Sequence, residues 1–204
     1  MRIAVFGGTG GTGRRFLEAA TDAGYGVKAL VRNPNAIGEM PGVVPVVGNV
    51  LDGGKVVLTL SECEAAVVIL GRTKGNPPDV LAVGTDLVIK GMAKMGLRRL
   101  IVVTSLGVGE SRAQVPFVFK LLMNTVWKKE MQAKEAQERI VRESETDWTI
   151  VRPGGLTNDV VAGSYRIGTD TGTVGGRVSR GDLASFLVSL VRDGSHVRET
   201  PYVA

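Results

Sequence analysis

Short apolar runs alternate with stretches of helical period along nearly the whole chain. RIAVF at Arg2–Phe6, VKALV at Val27–Val31, VVPVV at Val43–Val47, AAVVIL at Ala65–Leu70, LIVV at Leu100–Val103 and WTIV at Trp148–Val151 are predicted strands. The run 65–70 has no polar member, as expected of a strand buried on both faces of a parallel sheet. Pro41 and Pro45 put the third strand near an edge. Between the strands, Phe16, Leu17, Ala19 and Ala20 form the apolar stripe of a first helix, and Gly53–Ser61 reads as a short second one. Pro77-Pro78-Asp79 opens a third, with Leu81, Gly84, Val88, Gly91 and Met95 close to one face and Gly96 as its stop. A long helix is expected over Phe117–Ser144. The last opens at a capping box, Ser179-Arg180-Gly181-Asp182, and runs through Val191. Strand and helix in regular alternation with short links predict an α/β fold, a doubly wound parallel sheet with helices on both faces. No repeat or linker divides the chain, so residues 1–204 are expected to form one domain.

The link between the first strand and first helix is GGTGGTG, with glycine at 7, 8, 10, 11 and 13. Such a density of glycine disfavours helix or strand and suits a backbone that turns tightly and lets another molecule approach. A strand, a glycine turn and a helix amino terminus together offer free N–H groups and a positive dipole end to an anion. This is the pyrophosphate cradle of a dinucleotide site. Gly8, Gly10 and Gly13 satisfy G-x-G-x-x-G, while Gly7, Gly10 and Gly13 satisfy G-x-x-G-x-x-G; the sequence does not choose. Arg32 ends the second strand, about twenty residues on, and no acidic residue follows until Glu39. An acid there would bond the ribose 2′-hydroxyl of NAD, whereas the planar donor fork of arginine suits the 2′-phosphate of NADP. After the third strand, Gly48-Asn49-Val50-Leu51-Asp52 reads either as a place where a polar side chain meets the adenine or as a polar turn.

Composition narrows the classes. Hydrophobic residues make up 44% and charged residues 22% of 204, the balance of a globular chain. No apolar run is long enough to span a bilayer and the amino terminus lacks a signal-peptide pattern. One cysteine, Cys63, forms no intrachain disulfide, which points to a cytoplasmic location. One His, His196, in a polar segment, and one Cys argue against a zinc site. The net charge of +5 comes from dispersed Lys and Arg, which fits an anionic small ligand better than a nucleic-acid groove.

GGTGGTG, LVRNP after the second strand, GNVLD after the third, VTSLG after the fifth and TIVRPGGL after the sixth resemble the atypical short-chain dehydrogenase/reductase group. Within it, the chain is similar in length and layout to the NADPH-dependent flavin reductase/biliverdin-IXβ reductase family and its NAD(P)H-binding, NmrA-like relatives, over about residues 2 to 192. The resemblance implies a Rossmann domain that holds NADP(H), with a conjugated acceptor such as a flavin, tetrapyrrole or quinone over the nicotinamide, and a monomer or weak homodimer. It implies cofactor contacts for Gly7, Gly8, Thr9, Gly10, Gly11, Thr12, Arg32, Asn49, Val50, Leu70, Gly71, Arg72, Thr104, Pro153 and Gly155, and an active-site role for Ser105. Departures accompany it. The flavin reductases' second arginine aligns with Ala36, their adenine-site Asp with Asn49, and the His after their sixth-strand proline with Gly155.

The superfamily's Tyr-x-x-x-Lys pair is absent: four residues after Tyr25 and Tyr165 stand Ala29 and Thr169, and nothing lies four after Tyr202. Lys134 falls where the family's lysine is expected, with Glu130 four before it. It reads either as a ribose-contacting cation or as half of a surface ion pair worth about 0.3–0.5 kcal/mol. Thr104-Ser105 at the strand end could bond a nicotinamide amide or substrate carbonyl. Substrate-side loops are expected at about 106–117, with Arg112 and Lys120 for acidic groups, and at 154–178, including a hairpin around Tyr165–Ile167; Arg72 and Lys74 stand similarly after the fourth strand. Three functional classes follow: a reductase of conjugated acceptors, a non-catalytic NADP(H) sensor of NmrA type, and a scaffold that keeps the fold alone.

Overall fold

The computed structural model describes residues 1–73, 75–115, 121, 123, 125–170, 172 and 176–204. Its strands are β1 (Arg2–Phe6), β2 (Gly26–Val31), β3 (Val43–Val47), β4 (Ala65–Val68), β5 (Arg99–Val103), β6 (Asp147–Pro153), β7 (Gly155–Thr157), β8 (Ile167–Gly168), β9 (Arg177–Ser179) and β10 (Tyr202–Val203). Its main α-helices are α1 (Gly11–Asp22), α2 (Gly53–Leu60), α3 (Val80–Met95), α4 (Lys128–Arg142) and α5 (Arg180–Asp193). An eight-stranded sheet runs β3-β2-β1-β4-β5-β6-β10-β8. Every neighbouring pair is parallel except β10 with β8. This is the expected Rossmann-like α/β sheet, and the order reverses at β1, between β2 and β4.

The alternation of β1 splits the core in two. Ile3 and Val5 point to the face covered by Phe16 and Leu17 of α1 and Leu183 and Leu187 of α5. Ala4 and Phe6 point to the other, against Leu60 of α2, Leu81, Val88 and Met92 of α3 and Val141 of α4. A strand whose two faces are both covered reads as a continuous apolar run, which is why RIAVF and AAVV have no polar side.

The structure corrects several expectations. Met95, the last residue of α3, is exposed, and Met92 a turn earlier fills the core instead. The helix expected over 117–144 does not start in one piece: Thr125–Trp127 form a turn, with the Thr125 hydroxyl bonded back to the Leu121 carbonyl at 3.0 Å, before α4 begins at Lys128. Residues 117–120 lie outside the described residues. The hairpin expected around Tyr165 is replaced by longer-range pairing. β8 pairs antiparallel with β10, and β7 pairs parallel with β9. The free edge of β10 captures β8, because β10's other edge is occupied by β6. At the capping box, the Ser179 hydroxyl accepts from the Asp182 N–H at 3.0 Å. The Asp182 carboxylate accepts hydrogen bonds from the Ser179 hydroxyl and the N–H groups of Ala162 and Gly163. Burial works against its ionisation, but these bonds hold its pKa below the usual carboxylate value. His196 is part-buried beside Phe186, its Nδ1 2.6 Å from Glu199 Oε2.

Candidate functional site

A crevice of about 380 Å³ opens where β1, β2, β4 and β5 end, the place where open α/β sheets bind ligands. Gly7 starts its floor at φ 97°, and a β-carbon there would lie 2.3 Å from the Ile69 carbonyl oxygen. A β-carbon on Gly13 would lie 2.1 Å from the carbonyl oxygen of Gly7, so α1 begins pressed against the strand end. The Gly10 N–H bonds the Gly7 carbonyl at 3.2 Å. The close approaches thus fall at Gly7 and Gly13, the two ends of the Gly7-x-x-Gly10-x-x-Gly13 spacing. Gly8 is buried against Leu17 and is not part of the crevice wall.

No side chain caps α1 at Gly10, and Gly10, Gly11, Thr12 and Gly13 line the crevice. Uncapped N–H groups and the positive end of the helix thus face the space, where an anion would satisfy them. The residues present fit the pyrophosphate of a dinucleotide. Thr9, Leu70 and Gly71 also line the crevice.

At the far end, Arg32 reaches into the wall with its guanidinium already oriented. It donates to Asn76 Oδ1 at 2.9 Å and to Thr73 Oγ1 at 3.3 Å. Thr73 and Asn76 line the crevice and escaped the sequence reading; polar residues just past a strand end were the available signal. Arg72, which was expected to contact the cofactor, is part-buried outside the wall, and Lys74 lies outside the described residues. Asn49 and Val50 line the crevice. Asn49 Oδ1 accepts from the Leu51 N–H at 3.0 Å, which leaves its amide N–H groups as donors.

The opposite end is built on Thr104. Its hydroxyl donates to Glu138 Oε1 at 2.7 Å, and its carbonyl accepts from Lys134 Nζ at 3.1 Å. Lys134 is only 12% exposed, lines the crevice, and stands 3.9 Å from Glu130; the expected i,i+4 ion pair forms, but its lysine is buried at the crevice rather than on the surface. Burial pushes the Lys134 pKa down, against the pull of Glu130 and Glu138. Glu138 is fixed in turn by Arg152, whose Nε donates to it at 3.0 Å, and Arg152 Nη1 reaches Glu110 Oε1 at 3.0 Å. The Ser105 hydroxyl donates to the Leu106 carbonyl at 3.1 Å, and Ser105 is not part of the wall. Pro153 and Gly155 are also outside it. Pro153 is buried in β6, and the Gly155 N–H bonds the Gly176 carbonyl at 3.1 Å. Their neighbour Leu156 forms the wall instead, as does Arg180; neither was read as a site residue from sequence. Arg112 is exposed, and Lys120 lies outside the described residues.

Comparison with known proteins agrees with this fold. The sequence model of a family described as NAD(P)H-binding matches residues 7–194. An uncharacterised chloroplastic protein of Arabidopsis thaliana is 27% identical over 215 residues, covering 100% of this chain and 76% of that protein. Among solved structures, the oxidoreductase YlbE of Lactococcus lactis superposes with a TM-score of 0.86 at 20% identity, covering 100% of this chain and 90% of its own. ChuY of Escherichia coli O157:H7, described as an anaerobilin reductase, gives 0.85 at 24%, covering 100% and 96%. A short-chain dehydrogenase/reductase of Veillonella parvula, solved in complex with NADP, gives 0.83 at 16%, covering 100% and 94%. Among the described residues, no helix is long and apolar enough to cross a membrane.

Proposed function

The chain belongs to the NAD(P)H-binding family, and from that premise we propose that it is an NADPH-dependent reductase of a flavin, a tetrapyrrole or another conjugated small-molecule acceptor. The observation that carries the reading is the pairing of two anion sites in one crevice: the uncapped start of α1 and the oriented guanidinium of Arg32. A dinucleotide with a 2′-phosphate would meet both. Asn49 and Val50 would flank the adenine, Arg32 the 2′-phosphate, Gly10–Thr12 the pyrophosphate, and Lys134 the nicotinamide ribose. When bound, NADPH supplies a hydride.

The protein's part is orientation. A conjugated acceptor takes a hydride at a ring atom, and its anion can draw a proton from water, so no strong protein acid is required. That suits a chain without Tyr-x-x-x-Lys. Stacking the acceptor at reacting distance is then the main contribution. Leu156 offers apolar surface, and the Thr104-Ser105 hydroxyls a polar handle. In this reading Ser105 gives up its bond to the Leu106 carbonyl when an acceptor oxygen competes for it.

A second reading is favoured by one observation: the Ser105 hydroxyl is turned onto its own backbone, outside the crevice wall. A non-catalytic NADP(H) sensor of NmrA type would need no such hydroxyl. Steady-state NADPH oxidation with a panel of flavins, tetrapyrroles and quinones separates the two. Reduction of one class, with transfer of deuterium from C4 of labelled NADPH, is the expected result. Tight NADPH binding without reduction of any member overturns the reductase reading in favour of the sensor.

A further inference from the structure

We infer that Arg180, the first residue of α5, is a second phosphate-binding cation of the crevice, one that grips the pyrophosphate over the first turn of α1. This rests on the dinucleotide reading above and assigns a residue to a part of it. Arg180 comes from the far end of the chain, yet it lines the crevice. Its side chain lies across Gly11. A β-carbon on Gly11 would fall 2.9 Å from Arg180 Nε and 3.0 Å from its Cδ. Gly11 does not have a positive φ, so no backbone conformation demands glycine there. The Arg180 side chain occupies the space a β-carbon would take, and would have to shift to admit one.

The electrostatics make this placement informative. The amino end of a helix carries partial positive charge and disfavours a cation. Arg180 stands at two such ends, its own and that of α1. Among the described residues no carboxylate lies within ion-pair distance of it. The acid two residues on, Asp182, bonds Ser179 and the backbone of Ala162 and Gly163 rather than the guanidinium. The partner of the guanidinium is neutral: Nη1 donates to Asn158 Oδ1 at 2.8 Å. That bond holds the side chain over Gly11 without neutralising it. Two positive elements thus meet, the start of α1 and the guanidinium, and an anion between them would turn mutual repulsion into shared attraction. Arg32 sits at the other end with Thr73 and Asn76, so the two arginines divide the two phosphate groups between them.

Two probes separate the roles. ADP carries a pyrophosphate but no 2′-phosphate; 2′-AMP carries the reverse. By calorimetric titration, Arg180→Gln should weaken ADP and NADH roughly tenfold or more, the loss expected for one charge-assisted partner, and leave 2′-AMP within twofold. Arg32→Ala should do the opposite. Gly11→Ala should weaken ADP in the unmodified protein and weaken it by less in the Arg180→Gln background, because part of its effect is to displace Arg180. Asn158→Ala should give a smaller loss in the same direction, with α5 untouched. ADP and NADH affinities unchanged in Arg180→Gln, or an equal loss for 2′-AMP, would overturn the inference. Failure of the unmodified protein to bind NADPH at all would instead remove the dinucleotide reading beneath it.

Discussion

The ammonium of Lys134 lies 3.1 Å from the carbonyl oxygen of Thr104, closer than the 3.9 Å that separates it from Glu130. The lysine is therefore anchored to the end of β5, and the glutamate tunes its charge rather than fixing its place. Burial lowers the Lys134 pKa from the ordinary 10.5, and Glu130 opposes the shift. The proton is lost at a pH below that of a free lysine. Cofactor affinity that depends on the ammonium should fall as pH rises through that point. Glu130→Gln removes a neighbour that favours the charged form, so this fall should move to lower pH. Turnover near neutrality should hardly change. A large loss at neutral pH with fold and binding intact would bring Glu130 into the chemistry.

Ser105→Ala should lower turnover much more than it weakens NADPH binding, if Ser105 orients the acceptor. Stopped-flow reduction alongside a binding titration separates the two quantities. Unchanged turnover would make Ser105 a hydroxyl that serves only the Leu106 carbonyl.

Arg32→Ala should weaken NADPH by roughly tenfold to a hundredfold, the loss of charge-assisted bonds to a phosphate, and leave NADH little changed. Asn76→Ala should act in the same direction but less, since it removes only the acceptor that orients the fork. Equal affinity of the unmodified protein for the two nucleotides would strip Arg32 of this role.

The parts of the fold legible in the sequence are those with strong local signals. RIAVF and AAVV have no polar face because both sides are covered, and Gly96 terminates α3 with φ 69° as a left-handed cap. The places of Arg32 and the glycine turn at the crevice were readable for the same reason: each is set by a few consecutive residues at a strand end. What was not readable depends on distant partners. Nothing local says that Arg180 will lie across Gly11, or that Asn76 will hold Arg32. The position of Lys134 was legible, but its burial was not. KKEMQAKEAQER has the composition of a solvated helix, and only the packing of α4 on α3 turns its inner side toward the crevice. The two-residue strands β8 and β10 are too short to show a period of two.

Glu110 makes the fold sensitive to acid. Partial burial opposes its ionisation, but the bond from Arg152, its own backbone N–H and the nearby charge of Arg142 outweigh this and bring its pKa down from 4.5 to about 2. A carboxylate with a depressed native pKa stabilises the fold above its unfolded value, and that contribution is lost as pH falls. The loss should run between about 4.5 and about 2. Glu110 is 61% exposed, so solvent screening keeps the effect modest. Thermal melts across this range should fall less steeply for Glu110→Gln than for the unmodified protein. Parallel curves would show that Arg152 is neutralised by Glu138 alone.

The edge strand β3 pairs with β2 on one side only, and two of its valines, Val44 and Val47, are about half exposed. An apolar edge of this kind is a template for strand addition by another chain, and from there for aggregation. Pro45 interrupts it at the centre: it is exposed, lies opposite Ala29 of β2, and brings no N–H to an incoming strand. At the other end of the sheet, β8 is only two residues long and offers too little ladder to extend. Pro45→Val would produce five consecutive valines with no charge among them, the composition that drives self-templated stacking. The single proline therefore guards the solubility of the folded protein at a point remote from its crevice, and light scattering of that variant at rising concentration would register its loss.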